Sequence, residues 1–402
     1  MEVPRARLLF RNQLPGAPAP NEPFERDTIV KVLNRAASVL SVSLVAALGL
    51  AACGTDSAAP SAAPTAGSSE SSVTGTLSGA GASSQDAAMQ AWIAGFGAAN
   101  PEASVQYSPD GSGAGREALL AGGVQFAGSD AYLDEEETAA AAEVCGPDGA
   151  IHVPVYISPI AVAFNLPGIT DLNLDAETIA AVFRGEITTW NDPAIAAQNE
   201  AVELPDTAIT AVHRGDESGT TKNFTEYLAE AAPEKWTDKA SGEWPAGLPN
   251  GESASGTGGV ISTVTSTEGG ITYADASAAG SLGKVSVKVG DTYVPFSADA
   301  AALAVESSTA VTGEGRPEAD MAMDLDRDTA ASGAYPVVLV SYHVFCTSYE
   351  DQQTVDLVRA FGNYVVSDEG QAAASDAAGS APLSESLRSR AETALDSIQV
   401  RS

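Results

Sequence analysis

Residues 209–228 read ITAVHRGDESGTTKNFTEYL, and the parsing of this stretch decides the fold. Ile209 to Arg214 alternate in the manner of a short strand. Gly215 to Gly219 form a turn by composition. Phe224, Tyr227 and Leu228 then recur at helical spacing, so a helix is predicted to begin near Ser218 or Gly219. A strand that enters a helix through Ser-Gly-Thr aims several backbone N–H groups at one point. The helix dipole makes that point attractive to an anion. Arg214 ends the strand there and can offer a planar fork to an oxyanion, with Asp216 close enough to orient it. This is not a nucleotide P-loop, because Gly215-x-x-x-Gly219 lacks the required lysine and Lys222 comes too late. A surface turn with an N-cap serine would look the same, so the decision falls to the rest of the chain.

Working back toward the N-terminus, the arrangement recurs. A strand at Val73 to Leu77 is followed by the small-residue turn Ser78 to Ser84 and a helix over Gln85 to Gly97, with Met89, Trp92, Ile93 and Phe96 on one face. Val105 to Tyr107 form another strand, and Asp110 to Gly115 a Gly-rich turn into a helix carrying Leu119 and Leu120. Val124 and Phe126 alternate as a strand into Ala127-Gly128-Ser129-Asp130, which sets Asp130 at a strand end, where α/β folds place ligand groups. Three helix mouths with hydroxyls, one arginine and one strand-end aspartate together point to an anion site.

The formal net charge of -33 argues against nucleic acid and acidic membrane surfaces as partners. Any anion must then be held by local N–H groups, hydroxyls and an arginine rather than drawn by the overall field. His152, His213 and His343 are scattered and no Cys/His cluster has ligand spacing, so neither a metal nor a cofactor is expected. Lys31 and Arg35 precede an apolar run from Ala36 to Ala52, the form of a secretory signal. Its exit, Leu50-Ala51-Ala52-Cys53, resembles the bacterial lipobox, which implies that Cys53 is lipidated and becomes the mature N-terminus. Met1 to Ile29 sit awkwardly ahead of this signal, which leaves Val30 as a candidate start. Gly54 to Gly75 lack apolar periodicity and read as a tether.

Further along, Tyr132 to Val144 read as a helix, and Ile151 to Phe164 as an apolar β-rich run broken at Pro154 and Pro159. A short helix at Ala176 to Phe183, a Gly/Ser loop at Gly251 to Gly259 and a hairpin at Lys284 to Phe296 follow. Tyr335 to Phe345 form a second apolar run, and Thr354 to Val366 a helix facing inward through Leu357, Val358, Phe361 and Val365. Two apolar crossings imply two lobes. One is expected to combine residues 76–156 with 339–402 and the other to hold 157–338, after a signal region at 1–52 and a lipidated tether at 53–75.

On Ser78 to Ser84, Gly111-Ser112, Ala127 to Asp130, Asn165 to Gly168, Trp190 to Ile195, Arg214 to Thr220 and Ala381 to Leu383, the chain resembles the phosphate-binding lipoproteins of bacterial ABC uptake systems, in their actinobacterial form. The resemblance runs over residues 74–402. It implies an α/β, two-lobed periplasmic-binding-protein-like fold of type II with the ligand cleft between the lobes. It also implies capture of inorganic phosphate, delivery to ABC permease subunits and a lipid anchor on the extracytoplasmic face of the cell membrane. Carried over by motif, the ligand groups are Ser83, Ser84, Ser112, Asp130, Arg214, Ser218, Gly219 and Thr220, with Asp216 orienting Arg214. Ser84 stands where many relatives have Phe and is expected to bind through its amide alone. Glu217 replaces a common Gly and adds a negative charge beside the site. With Cys53 committed to lipid, Cys145 and Cys346 remain as an even pair, and their places beside the two crossings predict a disulfide.

The rival class is a secreted phosphatase or esterase with Ser218 or Ser112 as nucleophile, against which stands the lack of a nearby histidine or metal cluster. A receptor for another oxyanion, such as sulfate, would be expected to lack the carboxylate of Asp130.

Overall fold

The computed structural model describes residues 73–248 and 251–401. The signal region, Cys53 and the tether as far as residue 72 lie outside the described residues. Strands β1 (Gly75–Gly81), β2 (Ala103–Ser108) and β3 (Phe126–Ser129) run parallel, connected through helices α1 (Asp86–Ala99) and α2 (Ser112–Leu120). Helix α3 (Glu135–Val144) opens on a capping box in which Asp134 and Glu137 satisfy each other's backbone N–H. Strand β4 (Ala150–Phe164) is buried along its whole length. Then come β5 (Asp171–Leu174), α4 (Ala176–Phe183), α5 (Pro193–Ala196), β6 (Thr210–Arg214) and α6 (Gly219–Ala231). They are followed by β7 (Glu252–Ala254), α7 (Gly256–Ser266), β8 (Gly270–Asp275), the hairpin β9 (Gly283–Val289) and β10 (Thr292–Val294), and α8 (Ala298–Val305). The chain returns through β11 (Val338–Cys346) and ends in α9 (Gln352–Val366), α10 (Asp368–Ala378) and α11 (Glu385–Asp396).

The strands join in the order β2-β1-β3-β11-β4-β8-β6-β7, with β9 beside β4 and carrying β5 and β10. The long strand β4 links the halves. It pairs with β11 from Ala150 to Pro159 and with β8 from Ile160 to Phe164. The chain therefore folds as two α/β lobes sharing one curled sheet. Strands β4 and β11 pair antiparallel with their neighbours, yet both are buried along their whole length, which is why they read as continuous apolar runs rather than alternating ones. Helix α9 turns Leu357, Val358, Phe361 and Val365 inward, as its periodicity requires. Each such side chain contributes about 1.5–3 kcal/mol on burial.

Three local expectations are corrected. The run Ile151 to Phe164 is not broken at its prolines. Pro154 lies beside the register shift between Ser341 and Tyr342, and Pro159 at the point where β4 exchanges one partner strand for the other. At both places a missing N–H costs little. The turn at Asp110 to Gly115 is shorter than read, because α2 begins at Ser112. A Cβ on Gly115 would come within 2.4 Å of the Gly81 Cα, so glycine serves helix-on-strand approach there. The Gly/Ser loop at Gly251 to Gly259 is an edge strand and the start of α7, and Val260 to Val264 lie in that helix.

Cys145, at the C-terminal end of α3, forms a disulfide with Cys346, at the end of β11, across a sequence separation of 201 residues. Cross-linking a loop of that length removes roughly 5 kcal/mol of unfolded-chain entropy in the simplest model. Among the described residues no helix is long and apolar enough to cross a membrane.

Candidate functional site

Four strand ends converge on one point, and each carries a residue singled out by the sequence. Ser83 and Ser84 follow β1, Ser112 opens α2, Asp130 follows β3, and Arg214 ends β6 just before Ser218, Gly219 and Thr220 open α6. Their meeting is recorded in short distances. The Asp130 amide donates to Ser112 Oγ at 3.2 Å, Ser84 Oγ donates to Asp130 Oδ1 at 2.6 Å, and Thr220 Oγ1 donates to Asp130 Oδ2 at 3.0 Å. The side-chain amide of Asn223, one turn into α6, donates to the Asp130 carbonyl at 2.7 Å. A Cβ on Gly219 would lie 2.5 Å from Ser112 Oγ and 2.6 Å from Asp130 Cβ, so only glycine lets α6 come this close.

The donors follow from helix geometry. Gly219 and Thr220 begin α6, and their amides have no carbonyl one turn back inside the helix. Ser218 is its N-cap, accepting from the Thr221 amide at 3.2 Å, while its own amide donates to the Gly242 carbonyl at 2.9 Å. The Ser218 hydroxyl hydrogen is thus the group it can turn toward a ligand. Ser83 Oγ accepts from the Thr257 amide at 3.0 Å, a bond between the end of β1 and the first turn of α7.

Arg214 is 3% exposed. Its Nε donates to Asp216 Oδ1 at 2.8 Å and its Nη2 pairs with Oδ2. One edge of the guanidinium is thereby committed, and the other keeps its donors. Burial pulls the Asp216 carboxyl upward, but its hydrogen bond and charge contact with Arg214 outweigh this and hold it below the usual range. His213 faces the other way and stacks on Trp244 with ring centroids 4.8 Å apart, as strand alternation requires.

Asp130 behaves oppositely. Burial raises its carboxyl above the usual value and outweighs the hydroxyls of Ser84, Ser341 and Thr220 and the charge of Arg214. The site therefore sets one buried cation, one buried carboxylate and a ring of hydroxyl and amide donors around a common point. Such a set suits a small tetrahedral oxyanion that carries a proton. An open cleft of about 790 Å³ lined by Glu318, Arg390 and Thr393 includes none of these residues. Among the described residues no group of acids, histidines and cysteines could hold a metal ion.

A family model described as a PBP superfamily domain matches residues 66–369. Phosphate-binding protein PstS 3 of Mycobacterium tuberculosis is 34% identical over 376 residues, covering 91% of this chain and 99% of that protein. PstS 2 of the same organism is 35% identical over 375 residues, with 90% and 99% covered. The chain belongs to the phosphate-binding proteins of the PBP superfamily. Solved structures agree on the fold. A high-affinity periplasmic phosphate-binding protein determined with phosphate superposes with a TM-score of 0.65 at 22% identity, covering 79% of this chain and 93% of that one. A human phosphate-binding apolipoprotein gives 0.62 at 21%, with the same coverage.

Against this family background, several residues of the site escaped the sequence reading. Ser341 Oγ donates to Asp130 Oδ1 at 2.7 Å, although Ser341 sits inside the apolar run of β11. The signal available was a lone hydroxyl in a fully buried strand. Thr257 and Gly256 were hidden in the stretch read as a loop. The Gly256 amide donates to Asp216 Oδ1 at 3.0 Å and so braces the Arg214 partner. Ser84 was expected to act through its amide alone, yet its hydroxyl is on Asp130. Glu217 does not stand unopposed beside the anion point, because Arg116 Nη2 meets its Oε1 at 3.2 Å. Arg116 also holds Glu137 at 2.8 Å and Ser129 at 3.1 Å.

Proposed function

We propose that this protein captures inorganic phosphate between its two lobes, outside the cytoplasm, and delivers it to the permease of an ABC transporter. The observation that carries the reading is Asp130, a buried acceptor facing a ring of donors. Near neutral pH phosphate retains at least one proton, so it can accept from Arg214, Ser83, Ser84, Ser112, Ser218, Gly219 and Thr220 while donating to Asp130. Sulfate has no proton to give, and two acceptors would face each other unpaired. Leaving buried acceptors unsatisfied costs several kcal/mol, which supplies the discrimination. Residues 76–156 with 339–402, and 157–338, act as the two closing lobes.

No chemical step is required of these groups. The Ser218 hydroxyl caps α6 and Ser112 receives the Asp130 amide, and among the described residues no histidine bonds either serine. Capture and release suit such an arrangement better than hydrolysis.

Replacing Asp130 with Asn tests the reading. The variant loses a charge-assisted bond to phosphate of about 1.5–3 kcal/mol, while its amide can donate to sulfate. Phosphate affinity should fall and the preference over sulfate should shrink by roughly tenfold or more. Calorimetric titration with both anions reads this directly, and an unchanged phosphate-to-sulfate ratio would sink it.

The basic n-region, apolar run and Leu50 to Cys53 ending support lipidation at Cys53, with the segment from Gly54 as tether up to β1, which already takes in Gly75. Mass spectrometry of membrane-extracted protein should find an acylated Cys53 as the first residue. Recovery of an unmodified terminus, or of cleavage elsewhere, counts against the anchor.

A further inference from the structure

Asp130 Oδ1 accepts from two hydroxyls, Ser84 and Ser341, at 2.6 and 2.7 Å, and Oδ2 accepts from Thr220 at 3.0 Å. A carboxylate offers about four acceptor positions, so the protein fills all but one, and the remaining one is on Oδ2. Behind Ser341 the chain of bonds continues. Gln85 Nε2 donates to Ser341 Oγ at 2.9 Å, and His343 Nε2 lies 3.0 Å from Gln85 Oε1. Gln85, Ser341 and His343 are all 0% exposed.

The direction of these bonds follows from chemistry. An ionised carboxylate only accepts, so Ser341 must give Asp130 its single hydrogen. Its oxygen is then free to accept from the Gln85 amide nitrogen. That orients the Gln85 carbonyl toward His343, which must donate through Nε2 and leave Nδ1 as a bare acceptor. Nδ1 has no hydrogen-bond partner among the described residues, consistent with the neutral ring. The opposite flip of Gln85 would set two acceptors face to face and bury an unpaired Nδ1–H. Phe361 stacks on the His343 ring at 5.8 Å, and Trp92 meets it edge-on at 5.6 Å. Burial among them pushes its pKa down to about 3, so it stays neutral throughout the useful range.

We propose that His343, Gln85 and Ser341 form an oriented relay that keeps Asp130 an acceptor with one free position, and so sets selectivity for a protonated oxyanion. The proposal rests on the phosphate reading above. Ser341, Gln85 and His343 act through Asp130 as positioning residues. The other groups facing Asp130 leave this role to the relay. Arg214 is the charge beside it, the Ser84 and Thr220 hydroxyls complete its donors, Ser112 Oγ accepts from its amide, and the Tyr107 hydroxyl is given to the Ala82 carbonyl at 3.0 Å.

Removing a donor from the carboxylate favours its protonated form, which can donate to sulfate and gives up an acceptor position and the charge that strengthens the bond from phosphate. For Ser341→Ala in the full chain, the acid-side fall in phosphate affinity should move to higher pH, and sulfate should compete roughly tenfold better at mildly acidic pH. Ser341→Thr restores the hydroxyl and should keep the wild-type profile. Gln85→Met, which leaves the Ser341 hydroxyl unoriented, should shift the profile in the same direction by less. The readouts are phosphate and sulfate dissociation constants across the acid to neutral range, with circular dichroism and melting to confirm folding. A folded Ser341→Ala with the wild-type pH profile and anion ratio overturns the relay. If that variant does not fold, the same result with Gln85→Met overturns it. Wild-type protein that binds phosphate no better than sulfate overturns the phosphate reading itself and the relay with it, whereas the variant results above overturn the relay alone.

Discussion

Replacing Arg214 with alanine should weaken phosphate binding by at least about a hundredfold and weaken sulfate in parallel. The guanidinium is almost fully buried, and Asp216 occupies one of its edges, which aims the remaining donors at the anion point. Hydrogen bonds between charged groups are each worth about 1.5–3 kcal/mol, and a fork makes two. Nothing in the overall field compensates, because the chain carries a net charge of -33. The substitution also leaves Asp216 beside the anion without its cation, so repulsion adds to the loss. Parallel loss of both anions separates this variant from Asp130→Asn, whose effect is on their ratio. Titration of the two anions against wild type and variant decides it. Phosphate affinity within threefold of wild type would remove Arg214 from the site.

A second large effect is expected from a single methyl group. Gly219→Ala should cost phosphate binding at least about a hundredfold while lowering the melting temperature of the unliganded protein by only a few degrees. Alanine suits a helix interior better than glycine by about 1 kcal/mol and gains less at this first helical position, so α6 offsets only part of the strain. The added Cβ meets Ser112 Oγ at 2.5 Å and the Asp130 Cα at 3.0 Å, and backbone cannot step aside as a flexible side-chain end can. The start of α6 must then stand off from Asp130, lengthening the bonds from Thr220 and Asn223 that cross between the lobes. Several weakened bonds of about 1 kcal/mol or more account for the loss. Titration together with a thermal melt checks it. Retained affinity would mean that close approach at Gly219 is not needed for binding, and a collapsed melting temperature would mean that the effect is on folding.

Local chemistry determined what the sequence could tell. The opening of α6 was legible because an N-cap serine, a helix-spaced apolar set and a strand-end arginine are all properties of neighbouring residues. Asp130 was legible as a strand-end residue for the same reason, and Cys145 and Cys346 were legible because only one pairing remained once Cys53 was set aside. Length and apolar content of the two crossing runs were enough to call two lobes. Tertiary structure decided what depends on partners far along the chain. Whether Pro154 and Pro159 break a strand rests on where β4 meets a register shift and where it changes neighbours, neither of which the run itself records. Whether Gly115 and Gly219 are turn residues or points of close packing rests on which backbone lies opposite. The role of Ser341 is the sharpest case. Its neighbours in β11 are apolar, and it becomes a site residue only because β11 pairs with both β3 and β4, which brings its hydroxyl to Asp130, 211 positions away. A hydrogen bond between residues so distant leaves no mark on either local sequence, because its geometry belongs to the sheet.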